Sequence, residues 1–234
     1  MKLPLLILRP EPGNTASVAA ALDLGVEAIA APIFTVQPVA WDAPDRIDAL
    51  LIGSANAIRH AGPGLAAYAG LPAYTVGAAT AQAAREAGLN VIAVGSGGLQ
   101  PVLDTVTHPR LLRLAGQERV PLAPPPHVRM VERIVYAAMP LPLPRLAARL
   151  MLTHALPGVA VALHSAAAAT HLAGEMDRLD LPREKLHLIT LGPRIAKAAG
   201  TGWAAIHTAP AADERSLLAL AAQLCHTPAP RVGE

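Results

Sequence analysis

The chain contains the same short pattern twice. Residues 48–60 (DALLIGSANAIRH) and 158–171 (GVAVALHSAAAATH) each consist of an apolar run, a serine and an alanine-rich segment. A second pair of matching blocks follows at residues 74–87 (YTVGAATAQAAREA) and 189–199 (ITLGPRIAKAA), where an apolar run ends in glycine before helix-forming residues. Two similar strand–loop–helix modules predict two similar domains, and therefore a cleft between them.

Apolar segments of strand length recur along the chain and alternate with alanine-rich helical patterns. They are residues 3–8, 28–33, 49–52, 73–76, 91–94, 111–114, 134–137, 159–163, 186–191 and 204–207. Continuous apolar strands are typical of parallel sheets that are covered on both faces, so the sequence predicts an α/β fold. We expect helices to begin at residues whose side-chain oxygens can cap the first turn, namely Asn14 or Thr15, Ser54, Thr80 and Ser165.

Two proline-rich breaks divide the chain, at residues 37–44 (QPVAWDAP) and 139–144 (MPLPLP). They predict an inserted α/β domain of residues 36–138 and a discontinuous α/β domain of residues 1–35 plus 139–234. The segment 120–127 (VPLAPPPH) is too rich in proline for a helix, so we expect a loop crossover there. We expect the tail after His226 to be disordered.

Composition excludes several classes of protein. No window approaches the roughly 18 uninterrupted apolar residues of a membrane helix. The apolar start is too short for a signal peptide, and the single cysteine, Cys225, excludes an internal disulfide, so we expect a cytoplasmic protein. The net charge of +2 is too small for a nucleic-acid surface, but it suits a small anionic ligand.

The sequence contains no catalytic or metal-binding cluster. It lacks HExxH and G-x-S-x-G motifs, and the segment 95–98 (GSGG) lacks the third glycine of a dinucleotide fingerprint, so we interpret it as a plain loop. The strand-to-helix turns offer free N–H groups and helix N-termini at the carboxyl edges of the sheets, where anions are favoured.

Several short motifs occur in a characteristic order. They are LRP at 8–10, GSANA at 53–57, VGAATA at 76–81, RLAG at 113–116, VY at 135–136, LHS at 163–165 and LGP at 191–193. This ordered set resembles the uroporphyrinogen-III synthase family of tetrapyrrole biosynthesis, and the resemblance extends over nearly the whole chain. It implies two flavodoxin-like parallel-sheet domains joined by a two-stranded linker, with the chain crossing between them twice.

The resemblance also implies a reaction. The substrate is linear hydroxymethylbilane, whose pyrroles carry acetate and propionate arms. The enzyme, a hydro-lyase of heme and porphyrin biosynthesis, expels the terminal hydroxyl as water, inverts ring D through a spirocyclic intermediate and closes uroporphyrinogen III. It needs no metal or organic cofactor. We expect a monomer that acts on this small molecule and binds neither nucleic acid nor membrane.

Site residues follow from the same resemblance and from the strand-to-helix turns. Tyr136 corresponds to the family's candidate catalytic acid. The predicted substrate-binding residues are Arg9, Ser54, Gly77, Thr80, Arg113, Gly116, Ser165, Gly192 and Arg194. The family pattern has threonine where this chain has Ile195, so the hydroxyl contact expected there is absent and Ile195 is given no role.

Each of these residues has an alternative interpretation that the sequence leaves open. The hydroxyl residues can be helix caps alone, the glycines can serve tight turns, the arginines can be solvated surface charges, and Tyr136 can be a packing residue. The whole chain can also be a non-catalytic two-domain protein that binds an anion or a tetrapyrrole, or a degenerate paralogue of the synthase. A turnover assay distinguishes these alternatives.

Overall fold

The computed structural model describes residues 3–153 and 158–226, and the tail predicted to be disordered lies outside this part. The strands are β1 (Leu5–Ile7), β2 (Ala28–Ala30), β3 (Phe34–Pro38), β4 (Ala49–Ile52), β5 (Pro72–Val76), β6 (Asn90–Gly95), β7 (Arg110–Gly116), β8 (Arg129–Pro140), β9 (Val159–Leu163), β10 (Leu186–Thr190) and β11 (Ala205–Thr208). The α-helices are α1 (Gly13–Asp23), α2 (Ala55–His60), α3 (Ala78–Glu86), α4 (Gln100–Leu103), α5 (Arg145–Thr153), α6 (Ala166–Arg178), α7 (Pro193–Ala199) and α8 (Glu214–His226). None of the described helices is both long and apolar enough to cross a membrane.

The chain divides into two compact units. The first unit is assembled from both ends of the chain, up to Thr35 and from Pro140 onward, and the second unit is Val36–Met139. The chain passes from the first unit to the second within β3 and returns within β8.

The first unit contains a five-stranded parallel sheet in the order β11-β10-β9-β1-β2. All five residues of the central strand β9 are fully buried. Alternate residues of β9 pack into two different apolar clusters, so helices cover both faces of the sheet. The α/β fold predicted from continuous apolar strands is confirmed.

The second unit contains a six-stranded sheet in the order β3-β8-β7-β4-β5-β6, in which the strands from β8 to β6 are parallel. The crossover from β7 to the parallel strand β8 contains no helix, as predicted from its prolines. On this side of the sheet a loop, residues 117–128, therefore stands where most parallel crossovers would place a helix.

Five strands of the second sheet, all except β3, have the same spatial order as the strands of the first sheet, but the chain visits them in a permuted sequence. Strands β9, β10 and β11 of the first sheet correspond to β4, β5 and β6 of the second, and β1 and β2 correspond to β7 and β8. The repeated sequence pattern lies in the matching β9–α6 and β4–α2 segments. The first sheet has the flavodoxin strand order, and in both sheets the strand order reverses beside the central strand, between β1 and β9 and between β7 and β4.

Two strands at the unit boundary differ from the prediction. The sequence pattern predicted one strand over residues 28–33 followed by a break, but β2 ends at Ala30 and β3 begins at Phe34. Proline is tolerated in β3 because β3 lies at the edge of its sheet. Strand β8 is 12 residues long. Most of it was not predicted as a strand, because its charged and half-buried residues interrupt the apolar run.

Helix starts were predicted correctly at the two serines and wrongly elsewhere. The Ser54 Oγ accepts from the Asn56 N–H at 3.2 Å, and the Ser165 Oγ accepts from the Ala168 N–H at 3.1 Å. Thr80 lies inside α3, whose cap is a glycine. Asn14 lies inside α1, and its amide donates to the backbone carbonyls of residues 7 and 9 instead of capping the helix.

Glu175 on α6 fixes the segment that follows β8. Its carboxylate accepts from the Leu143 N–H at 2.7 Å and from two nitrogens of Arg178 at 2.7 and 2.8 Å. Hydrogen bonding to Arg178, opposed by burial and aided by the Leu143 N–H, lowers the pKa of Glu175 to about 2. The ionised form is therefore stabilised in the folded protein.

We expect Glu175→Gln to lower the free energy of unfolding by about 1–3 kcal/mol at pH 7. Because the folded-state pKa is depressed, this stabilisation is present above pH 4.5 and is lost as the pH falls toward 2. Urea unfolding of both proteins at pH 7 and pH 3 measures the difference, with the exposed Glu184→Gln as a control. A difference that is the same at both pH values would contradict this account.

Candidate functional site

A cavity of about 560 Å³ opens at the carboxyl edge of the second sheet, where the strand order reverses between β4 and β7. Ligands of open α/β sheets bind at this position because neighbouring crossovers leave toward opposite faces. Its walls are the ends of β4, β5 and β7, Tyr136 of β8, and two loops. The first loop contributes Gly97, Gly98 and Leu99, followed by Gln100 and Pro101 of α4, and the second contributes Glu118, Arg119, Val120, Pro121 and Leu122.

Ser54 is placed at the cavity wall by the end of β4. The fully buried strand β4 stops at Ile52, and Ser54 then caps α2 with its side-chain oxygen while its residue lines the cavity. Ser54 can therefore cap the helix and line the cavity at the same time. Its hydrogen bond from the Asn56 N–H establishes the capping role.

Tyr136 lies across Gly116. The two residues are partners in the register between β7 and β8, and a Cβ added to Gly116 would lie 2.5 Å from the Tyr136 Cζ and 2.8 Å from its hydroxyl oxygen. The half-buried tyrosine also packs against the core below and has its ring centroid 6.3 Å from that of His60. Only glycine leaves room for the phenol at this wall of the cavity.

Arg113 also lines the cavity, but it is not a surface charge, because only 3% of it is exposed. Its Nη1 donates to Glu132 at 2.7 Å and its Nη2 to the Val120 carbonyl at 2.9 Å. Its buried Nε has no hydrogen-bond partner among the described residues. Burial lowers the pKa of Arg113, and the Glu132 carboxylate opposes that effect.

A polar cluster occupies the corresponding edge of the first sheet, beside the ends of β1 and β9. Glu214 accepts from Arg9 at 2.9 Å and from Ser17 at 2.5 Å, and its carboxylate lies 3.0 Å from the His164 Nε2. Burial alone would raise the pKa of Glu214, but the hydrogen bonds from His164 and Ser17 and the charge of Arg9 lower it. The predicted substrate-binding residue Arg9 is therefore already paired.

The structure brings together four of the predicted site residues. Those that line the cavity are Ser54, Arg113, Gly116 and Tyr136. Gly77 and Thr80 belong to the same unit but do not line it, since Thr80 is buried inside α3 and Gly77 caps that helix. The φ of +81° at Gly77 favours glycine, which supports the tight-turn interpretation at that position.

The remaining predicted residues lie in the first unit. Ser165 caps α6, Gly192 precedes α7 with extended backbone that any residue can adopt, and Arg194 is exposed in the first turn of α7. Ile195 is 9% exposed and packs into the apolar core. The absent hydroxyl at that position is replaced by a core side chain.

Both loops of the cavity wall were predicted as loops, but the sequence did not predict that they line a cavity. The segment 95–98 was interpreted as a plain loop, yet Gly97 and Gly98 line the cavity. Arg119 and its partner Glu132 were not singled out, because a loop arginine and a strand glutamate carry no local signal. Among residues 3–153 and 158–226, no group of three histidine, cysteine or acidic side chains could hold a metal ion.

Comparison with known proteins identifies relatives of the chain. A family model described as uroporphyrinogen-III synthase HemD matches residues 16–219. The crystal structure of uroporphyrinogen-III synthetase from Helicobacter pylori is similar over 96% of this chain and 100% of its own, with 15% identity and a TM-score of 0.62. A mutant uroporphyrinogen III synthase from Thermus thermophilus is similar over 94% and 99%, with 18% identity and a TM-score of 0.52. No curated protein sequence matches the chain.

The structural likeness agrees with the two-unit α/β fold, and the family model covers most of the chain, including both halves of the repeated pattern and every residue of the cavity wall. The chain therefore belongs to the uroporphyrinogen-III synthase family.

Proposed function

We propose that the protein is a uroporphyrinogen-III synthase, a hydro-lyase that converts hydroxymethylbilane to uroporphyrinogen III with inversion of ring D and loss of water. The family match over residues 16–219 is the observation that carries this proposal. The cavity at the strand-order reversal adds support, since its volume is within the range of small-molecule sites.

The reaction depends more on how the protein holds the substrate than on a strong acid or base. The bilane closes without an enzyme, uninverted, so the protein must hold the chain of pyrroles where the inverted closure is favoured. The pyrrole nitrogen of the substrate assists departure of the hydroxyl, and a proton donor completes its loss as water. This route requires no metal or organic cofactor, and we propose none.

We propose Tyr136 as the proton donor to the departing hydroxyl. Its phenol lines the cavity and is fixed across Gly116, so the hydroxyl group has a defined position on the wall. A positioned acid typically accelerates a reaction by 10²–10⁴-fold. The low end of that range suits a leaving group that the substrate itself activates.

The substrate-binding residues remain those predicted from the sequence, with unequal support. Ser54, Arg113 and Gly116 have the support of lining the cavity with Tyr136. The others in the proposal are Arg9, Gly77, Thr80, Ser165, Gly192 and Arg194. The Thr80 side chain is buried, so any substrate contact at that position would come from backbone N–H groups. A substrate carboxylate that binds Arg9 would have to compete with Glu214.

The organisation of the enzyme is also part of the proposal. We propose two domains, residues 1–35 plus 139–234 and residues 36–138, and the division of the chain at Thr35 and Met139 supports these boundaries. A monomer in the cytoplasm remains a prediction. The buried free thiol of Cys225, whose pKa burial raises to about 11, is compatible with a reducing compartment.

Purified protein should convert hydroxymethylbilane mainly to the type III isomer, and pretreatment with a chelator should leave the rate unchanged. Chromatographic separation of the oxidised products measures the ratio of isomers. Formation of type I at the spontaneous rate would refute the synthase and favour a non-catalytic binding protein or a degenerate paralogue.

Tyr136→Phe should lower kcat by about 10²-fold and leave KM nearly unchanged, because the ring remains in place and only the proton donor is lost. Initial rates of type III formation over a range of bilane concentrations give both constants. A variant with the kcat of the unaltered protein would make Tyr136 a packing residue.

Gly116→Ala should lower kcat toward the value for Tyr136→Phe, because a Cβ would meet the phenol at 2.5–2.8 Å and displace it. The two substitutions together should cost no more than the larger single effect, since both act through the same hydroxyl. Gly174→Ala is the matched control, because nothing lies within 4 Å of a Cβ at that exposed position of α6. An unchanged kcat for Gly116→Ala would show that the position of the phenol is unimportant.

A further inference from the structure

Arg113 is a charge in the buried part of β7, residues 111–116, which is otherwise apolar. Its neighbours Leu112 and Leu114 are almost completely buried. The matching position in the first sheet is Ile7, which is also fully buried. The fold therefore does not require a charge at this place. Burying a guanidinium is costly unless it is paired and hydrogen-bonded, so the partners of Arg113 indicate what it does.

Those partners are the loop that replaces a helix and Glu132 on the neighbouring strand β8. One nitrogen of Arg113 donates to the Val120 carbonyl, and another donates to one carboxylate oxygen of Glu132. The other oxygen of Glu132 accepts from the Nε of Arg119, and the Nη1 of Arg119 donates to the Gln117 carbonyl at 2.7 Å. The network thus holds the backbone of the loop at two carbonyls.

Arg113 is poorly suited to bind a carboxylate itself. Its side chain is only 4% exposed, and both terminal nitrogens already donate to protein acceptors, so little of the guanidinium can reach a ligand. Only the Nε lacks a partner among the described residues. Arg119 differs, because it lines the cavity, its side chain is 34% exposed, and the hydrogen bonds found for it among the described residues engage only Nε and Nη1.

We propose that Arg113 and Glu132 are positioning residues that hold the loop, and that Arg119 is the guanidinium that binds a carboxylate of the substrate. The inference rests on the proposed function, because hydroxymethylbilane supplies the carboxylate. It revises the direct substrate contact predicted for Arg113 and assigns that contact to Arg119, for which the sequence had predicted no role. The neighbouring Glu118 also lines the cavity and opposes an anionic ligand at the same wall.

Neutralising the two adjacent loop charges tests the binding half of the proposal. Arg119→Gln should raise KM about tenfold or more with little change in kcat, because the contact is present in both the bound substrate and the transition state. Glu118→Gln should lower KM, since it removes a like charge. Arg59→Gln, an exposed arginine of the same unit outside this cavity, should leave KM unchanged. A KM for Arg119→Gln equal to that of the unaltered protein would overturn the proposal.

Glu132→Gln tests the positioning half. It should raise KM as Arg119→Gln does, and the double variant should be no worse than the larger single effect, because both act through Arg119. Trypsin should cleave after Arg119 faster in Glu132→Gln than in the unaltered protein. Glu132→Asp, which keeps the charge, should restore part of the affinity even where the glutamine variant folds poorly. Additive losses with an unchanged rate of cleavage would refute positioning.

The unaltered protein separates failure of this inference from failure of the proposed function. If it produces no type III isomer, the synthase proposal fails. If it produces type III and Arg119→Gln behaves identically, the synthase proposal stands and the role of Arg119 is refuted. Equilibrium binding of uroporphyrinogen III to the same variants gives a readout that does not depend on turnover, and only Arg119→Gln and Glu132→Gln should weaken it.

Discussion

Parallel strands cannot be joined by tight turns, so each one returns through a crossover on one face of its sheet. Where the strand order reverses, the crossovers from two neighbouring strands leave toward opposite faces and a crevice opens at the carboxyl edge. In the second sheet this point lies between β4 and β7, and the cavity is found there. The polar cluster of Arg9 and Glu214 lies at the equivalent point of the first sheet. The topology of each sheet thus determines where a binding site can form, whichever side chains line it.

The sequence predicted the parts of the fold that depend on local pattern. Continuous apolar runs marked most strands, and the duplicated block placed Ser54 and Ser165 correctly as helix caps. Strand β3 was missed because its proline resembles a break, and an edge strand needs no N–H at every position. The permuted correspondence between the sheets was also outside the reach of local pattern, because it concerns which strands are neighbours and not which segments are strands.

The candidate site was partly predictable for the same reason. The ordered motifs led to Gly116 and Tyr136, whose close contact the structure explains by the absence of a Cβ at Gly116. The prolines predicted the loop that follows Arg119, but no local pattern marked Arg119 itself, because its place depends on Arg113 and Glu132, the latter from another strand. A buried guanidinium whose partners are a loop carbonyl and a carboxylate of the next strand is a tertiary feature. Contacts of this kind distinguish an arginine that holds the wall of a binding cavity in place from an arginine that contacts the ligand.

The most direct test of the account is where the ligand binds. Backbone amide spectra of isotope-labelled protein, titrated anaerobically with uroporphyrinogen III, report this residue by residue. We expect the largest shifts at Ser54, Gly116 and Arg119 around the cavity between β4 and β7. Shifts confined to the other groove of the same unit, between α2 and α3 near Arg59 and Ala83, would contradict this expectation.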